Sequence, residues 1–419
     1  MGLQRPVLNF DMQSFSRRTL WAEPKVEQLL SAPFVAEFVF RSPQIIDPTQ
    51  KELVDFALVH RERSILVSQK AQEDPEKRSV EKNRLWVLKN TKAALSQLRG
   101  AIHSPKGRPI WCEHGRRGRV EFPNGIPSPI HGIVVVESLA SVDLYPEAAK
   151  LPLEISGVPI TYFSLSDFVN VSLQLRAIPE LMEYLLARRA LPDASLYRIG
   201  DELKLFRLYL LNGGNFNGCL GHQDAERAAG THNDRLREIL RRTSEYHYHS
   251  SFLEYVADCL ATRDPSYRDG LSERMLEAFD PIEKREKYLL LQEVIAEMRL
   301  RERAEIGSGL LGAIEKLGEQ ETGFTFRTAR IDSWPDWVFV LAASKNWERP
   351  ALIENMELLV RGAMAFYGKT KCLFILDRDG VSFEVGRARP DVQLSPDDRL
   401  IGEKFFADLR TTSSEINGF

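Results

Sequence analysis

The sequence predicts an α/β protein. Its first third runs helix, three strands, helix, strand (αβββαβ), followed by a mainly helical region and a small α+β C-terminal module. Three observations carry this reading. Leu53–His60 and Ser64–Ala71 are β-rich runs joined by the short Arg61-Glu62-Arg63 connection, the pattern of a hairpin. From Ser79 to about Ala101, Leu85, Leu88, Leu95 and Leu98 recur at helical spacing. Ile130–Ser138 (IHGIVVVES) is a continuous apolar run fit for a buried strand.

The remaining elements follow in order. Pro24–Ala36 opens on proline and carries apolar residues at helical spacing, so a short helix is expected. Glu37–Ile46 reads as a strand interrupted by Pro43, and Asp47-Pro48 as a turn. Glu73–Arg78 is a charged loop, and residues 104–129 form a Gly/Pro/Arg-rich excursion. Between 165 and 318 the spacing favours helices over Phe168–Leu186, Asp201–Leu211, Asp234–Arg263 and Leu271–Glu305. Beyond about 322, Trp337–Ala343, Cys372–Asp377 and Val381–Gly386 are strand-like and Arg349–Tyr367 helical. The expected domains are therefore 1–145, 146–320 and 321–419, with the polar end Thr411–Phe419 frayed.

Composition narrows the class. The 419 residues are 43% hydrophobic and 27% charged, as in folded soluble proteins. No apolar run reaches the ~18 residues of a membrane span, and the N-terminus lacks a secretory apolar stretch. The four scattered cysteines suggest neither a disulfide framework nor a zinc knuckle, so a cytoplasmic setting is expected. A net charge of −3 argues against a protein coated in nucleic acid, while leaving room for a local basic groove. Asn212–Gly221 is glycine-rich but lacks the Lys-Ser/Thr of a phosphate loop. Gly368-Lys369-Thr370 reads as a helix stop, and Asp377–Gly380 as a hairpin turn.

The chemistry is concentrated at Asp55 and Ser68-Gln69-Lys70. Alternation along a strand puts Ser68 and Lys70 on one face and Gln69 on the other. Antiparallel pairing through 61–63 would bring Asp55 to Lys70, a carboxylate able to hold a hard cation beside an ammonium able to orient water or neutralise phosphate charge.

This pattern resembles the PD-(D/E)XK, or restriction-endonuclease-like, nuclease superfamily, and within it the NERD- and Mrr-type branches, over roughly residues 24–140. The resemblance implies a Mg²⁺- or Mn²⁺-dependent nuclease. Asp55 matches the first acid and Lys70 the lysine that assists the attacking water. Ser68 stands where the second acid belongs. Gln69, one position off, would enter through a bulge, and Glu37 is the acid expected to complete the metal site with Asp55.

The following helix carries Lys89, Lys92 and Arg99, which suit contacts to phosphates, and Gln97, which is similar to a site-facing glutamine of related nucleases. Arg116 and Arg117, with Arg108 and Arg119, extend the basic character through the loop. The expected activity is hydrolysis of nucleic-acid phosphodiesters, DNA before RNA, in defence against foreign DNA, with a protein partner contacting the helical region. The rival is a degenerate nuclease fold that has lost its chemistry and serves as a nucleic-acid-binding or protein-interaction scaffold, a reading that Ser68 favours.

Overall fold

The computed structural model describes residues 37–407, apart from 47–51, 72–77, 104–106, 115–117, 139–140, 145–150, 232, 264–290, 319, 381 and 389–391. The helix expected at 24–36, the turn at Asp47-Pro48, most of the 73–78 loop, the start of the Leu271–Glu305 helix and the 411–419 end lie outside those residues. The chain divides into two units, one of residues 1–176 with 180–239, the other of 177–179 with 240–419.

The first unit is built on a mixed eight-stranded sheet ordered β5-β4-β1-β2-β3-β6-β9-β8. Its elements are β1 (Val39–Ile45), β2 (Phe56–His60), β3 (Arg63–Lys70), α1 (Val80–Ile102), β4 (Ile110–His114), β5 (Gly118–Phe122), β6 (Pro129–Val136), β7 (Val142–Asp143), β8 (Glu154–Ile155) and β9 (Val158–Ser164). Then come α2 (Leu165–Leu175), α3 (Ile178–Arg188), α4 (Asp193–Leu196), β10 (Arg198–Ile199), α5 (Glu202–Leu211) and α6 (His222–Thr231). β1, β2 and β3 form an antiparallel meander, whereas β3, β6 and β9 run parallel. A parallel neighbour needs a crossover, and α1 supplies it.

The Gly/Arg-rich excursion contains an antiparallel ladder, β4 with β5, which extends the sheet beyond β1. Cys112 and Ile110 alternate inward there, at 0% and 4% exposure, but Glu113 and His114 cut the apolar run short and disguise the strand. The sheet also runs past residue 145 into β9, whose seven residues are all buried. The expected helix Phe168–Leu186 is split by Arg176, which adopts a left-handed φ of 47° between α2 and α3.

α1 is held on the sheet by Val87, Ala94, Leu95 and Leu98, packed against Phe40, Ala57, Leu66, Val134 and Ile160. Gly132 in β6 is required by this contact. A Cβ there would lie 2.6 Å from Ile160 and 3.5 Å from Leu98. Ser79 caps the helix by accepting from the Lys82 N–H.

The second unit centres on a four-stranded sheet ordered β11-β12-β13-β14. It comprises α7 (Asn233–Arg263, which begins in the first unit), α8 (Leu300–Leu317), β11 (Gly323–Ala329), β12 (Trp337–Lys345), α9 (Arg349–Tyr367), β13 (Lys371–Arg378), β14 (Ser382–Arg387) and α10 (Pro396–Phe406). β12 and β13 pair in parallel over eight residues each, and α9 is their crossover. Gly368 ends α9 with a φ of 62°, and Asp379 and Gly380 turn β13 into β14 with φ of 57° and 66°. Both glycine readings from the sequence hold. Among the described residues, no helix is long and apolar enough to cross a membrane.

Candidate active site

The β2–β3 hairpin sets the geometry. Phe56 pairs with Val67, so Asp55 falls opposite Ser68 on the same face. Asp55 is fixed from both sides. Its carbonyl accepts from Ser42 N–H at 2.9 Å, where β1 bulges at Ser42-Pro43 and Ser42 takes a φ of 45°. A bulge bends the strand that carries it, and here it adjoins Asp55, the residue immediately before β2.

Four side chains converge under α1. Asp55 Oδ2 accepts from Ser68 Oγ at 3.1 Å and from the Gln69 backbone N–H at 2.5 Å, and lies 3.6 Å from Lys70 Nζ. Gln97 reaches down from the helix. Its Nε2 is 3.4 Å from Asp55 Oδ1, and its Oε1 accepts from Lys70 Nζ at 2.8 Å and Ser68 Oγ at 2.8 Å. The serine has one proton to share between its two acceptors. Asp55 and Lys70 are 14% and 26% exposed, so the ion pair is held in place yet open to solvent on one side.

The other sequence candidates separate. Gln69 does not rotate in. β3 pairs with β6 without a break from Ile65 to Lys70, so its side chain stays on the opposite face. It is 6% exposed, and neither amide atom has a hydrogen-bond partner.

Glu37 is not brought to Asp55. Val39 aligns with Leu58, which places Glu37 near His60 at the far end of β2, about 17 Å along the strand. Its buried carboxylate faces His114 of β4, Oε2 to Nε2 3.8 Å.

On α1, Lys89, Lys92 and Arg99 are all exposed. At about 100° per residue, Lys89 lies about 80° from Gln97, whereas Arg99 and Lys92 fall on the opposite side. Arg119 stacks on Trp111 at 4.7 Å and pairs with Glu121 at 3.1 Å on the β4–β5 ladder. Arg116 and Arg117 lie outside the described residues.

The donor set tests the expected metal. Asp55 offers a carboxylate whose Oδ1, among the described residues, carries only the 3.4 Å contact, and Gln97 and Ser68 offer neutral oxygens. Mg²⁺ takes oxygen ligands, often one or two carboxylates with waters and substrate phosphates, so this set fits a hydrated ion. It holds one acid rather than two. Among the described residues, no group of three or more His, Cys, Asp or Glu could hold a metal ion.

Sequence reasoning missed a second polar cluster in the same unit. Glu202 accepts from Arg188 Nε at 2.5 Å, Arg188 Nη2 at 3.0 Å and Tyr184 OH at 2.6 Å, and its N–H donates to Asp167 Oδ1 at 3.0 Å. Burial, reinforced by Glu202, pushes the Asp167 carboxyl up to about 6. All four residues are at most 5% exposed, which marks a sealed structural network. Tyr184 and Arg188 share a face of α3 four residues apart, but Asp167 and Glu202 come from α2 and α5, so no local spacing announces the whole network.

Comparison with protein-family models gives no match, and neither a curated protein nor a solved structure matches the chain.

Proposed function

We propose that the protein is a divalent-metal-dependent nuclease of the restriction-endonuclease-like type, hydrolysing phosphodiester bonds of nucleic acid, DNA before RNA. The observation that carries this reading is the convergence of Asp55, Lys70 and Gln97 at one end of the β2–β3 hairpin, Asp55 paired with Lys70 at 3.6 Å and Gln97 hydrogen-bonded to both. Asp55 and Gln97 would hold Mg²⁺ or Mn²⁺. The bound ion supplies Lewis-acid polarisation of the phosphate and a water of lowered pKa.

The chain's own groups do the rest. Lys70 brings a positive charge to where the phosphorane's negative charge develops, an electrostatic contribution of the oxyanion-hole kind. Gln97 fixes the ammonium by accepting from it. Ser68 ties Gln97 to Asp55 and so sets the spacing of carboxylate and amide. In this reading the amide of Gln97, delivered from α1, takes the place that Ser68 leaves empty of charge.

A specific observation favours a second reading. Asp55 Oδ2 is already engaged by Ser68, the Gln69 N–H and Lys70. A carboxylate so satisfied suits a binding scaffold that has lost its chemistry. Incubation of linear and circular DNA and RNA with Mg²⁺ or Mn²⁺ separates the two. The nuclease reading expects metal-dependent products from wild type and none from Asp55→Ala or Lys70→Ala. Products that persist in both variants overturn it. Binding without products from the wild type supports the scaffold.

A further inference from the structure

We infer that α1 carries the track for a single-stranded segment of the substrate, with Trp86 as the platform on which one base stacks. This deepens the nuclease reading and rests on it. Gln97 touches the reacting cluster, and the helix continues from it toward its N-terminus on the same flank. Asn90 stands seven residues earlier and Trp86 eleven, positions that fall within about 20° of Gln97 around the helix. Along the axis, Trp86 is about 16 Å from Gln97, a span of a few nucleotides.

The residues between suit a polynucleotide. Ala93, exposed and small, leaves room for a backbone to pass beside Gln97. Asn90 is half-buried and bonds through Nδ2 to the Trp86 carbonyl at 2.9 Å, and among the described residues no bond engages its side-chain oxygen. Lys82 and Lys89, both exposed, line the outer flank and offer charge to phosphates. Trp86 is half-buried and packed against the core, and the Arg78 guanidinium lies over its ring, 6.0 Å from the centroid, where an incoming base would displace it or stack beside it. A partly buried ring with a cation near it is the arrangement on which bases stack in single-strand binding proteins. Intact B-form duplex presents no unstacked base to such a ring. The strand at the site is therefore single-stranded or frayed at an end.

The experiment compares a fluorescent deoxyoligonucleotide with its blunt duplex. Affinity is measured by anisotropy without divalent metal and cleavage with Mg²⁺, using wild type, Trp86→Phe, Trp86→Ala, Lys89→Glu and Asp55→Ala. The expected result is tighter binding of the single strand and about tenfold weaker single-strand binding in Trp86→Ala. Trp86→Phe should retain most of the affinity, and the exposed Lys89→Glu change should weaken binding more at low salt than at high salt. The effect should fall on KM rather than kcat, and Asp55→Ala should bind as wild type does.

Equal affinity for both substrates, or single-strand binding unchanged in both Trp86→Ala and Lys89→Glu, overturns the track. If the track fails while Asp55→Ala abolishes cleavage, the nuclease reading stands without it. Cleavage unaffected by Asp55→Ala, and by Lys70→Ala measured beside it, removes that reading, whatever α1 binds.

Discussion

The two units use the same device and fill it with different chemistry. In each, an antiparallel strand pair leads into a crossover helix and then a parallel strand: β2–β3–α1–β6 in the first, β11–β12–α9–β13 in the second. Under α9 the strands present Val338, Val340, Ala342, Cys372 and Leu376, met by Leu352, Met356, Leu359, Val360 and Ala363. Under α1 the equivalent surface is apolar only up to Leu66. Ser68 and Lys70 then follow, with Asp55 beside them and Gln97 above. A fully apolar interface is worth about 25 cal/mol for each Å² buried. The first unit forgoes some of that at the end of β3, and polar groups so placed between packed elements are expected to have a use.

The units also differ in how they pair charges, and this gives the largest expected stability effect. Arg188 and Glu202 are 2% and 1% exposed, so Glu202→Ala would leave a guanidinium buried without its partner. A loss of about 3–5 kcal/mol is expected from chemical denaturation. In the second unit Arg361 is 33% exposed where it meets Asp398, so Asp398→Ala should cost less, about 1 kcal/mol. Equal losses would erase the distinction.

Burial pushes an acid in each unit up to about 6 from 3.8, Asp167 in the first and Asp377 in the second. Such a carboxyl binds its proton more tightly folded than unfolded. Stability is therefore favoured below about pH 4 and declines as pH rises to about 6, by up to about 3 kcal/mol. Asp167→Asn should flatten that decline for amides of the first unit in hydrogen exchange, and Asp377→Asn for amides of the second. A slope unchanged in both variants would mean that neither acid is perturbed.

Smaller effects sharpen the packing side. The close approach of α9 and α10 depends on Gly402, where a Cβ would lie 2.4 Å from the Gly362 carbonyl oxygen. Gly402→Ala should cost about 1–3 kcal/mol in thermal unfolding. At the site, Ser68→Ala removes a tie worth about 1 kcal/mol and should lower kcat/KM about fivefold. Wild-type stability in the first variant, or wild-type activity in the second, would contradict these assignments.

Much of this was legible in the sequence, and the reason differs by element. The hairpin was readable as two β-rich runs about a short connection and α1 by its apolar period, and strand alternation then placed Asp55, Ser68 and Lys70. Gln97 came from the resemblance and does reach the cluster. Gln69 and Glu37 were placed by analogy, which carries no register. The unbroken β3–β6 ladder and the Val39–Leu58 pairing put both elsewhere. β4 and β5 were hidden because each is only five residues long, with Glu113 and His114 in β4 and Gly118, Arg119 and Glu121 in the edge strand β5 breaking up the apolar pattern. β9 was obscured by Pro159 near its start. Trp86 gave no signal of its own, since a tryptophan on an amphipathic helix ordinarily reads as core.

The most direct test of the account is metal-dependent cleavage of DNA by the wild-type chain, Asp55→Ala, Lys70→Ala and Ser344→Ala, the last altering the end of β12 that corresponds to the end of β3. The account expects the first two substitutions to lower kcat by at least about 100-fold with fold and DNA affinity retained, and Ser344→Ala to leave it unchanged. Full activity in Asp55→Ala and Lys70→Ala, or an equal loss in Ser344→Ala, would contradict it.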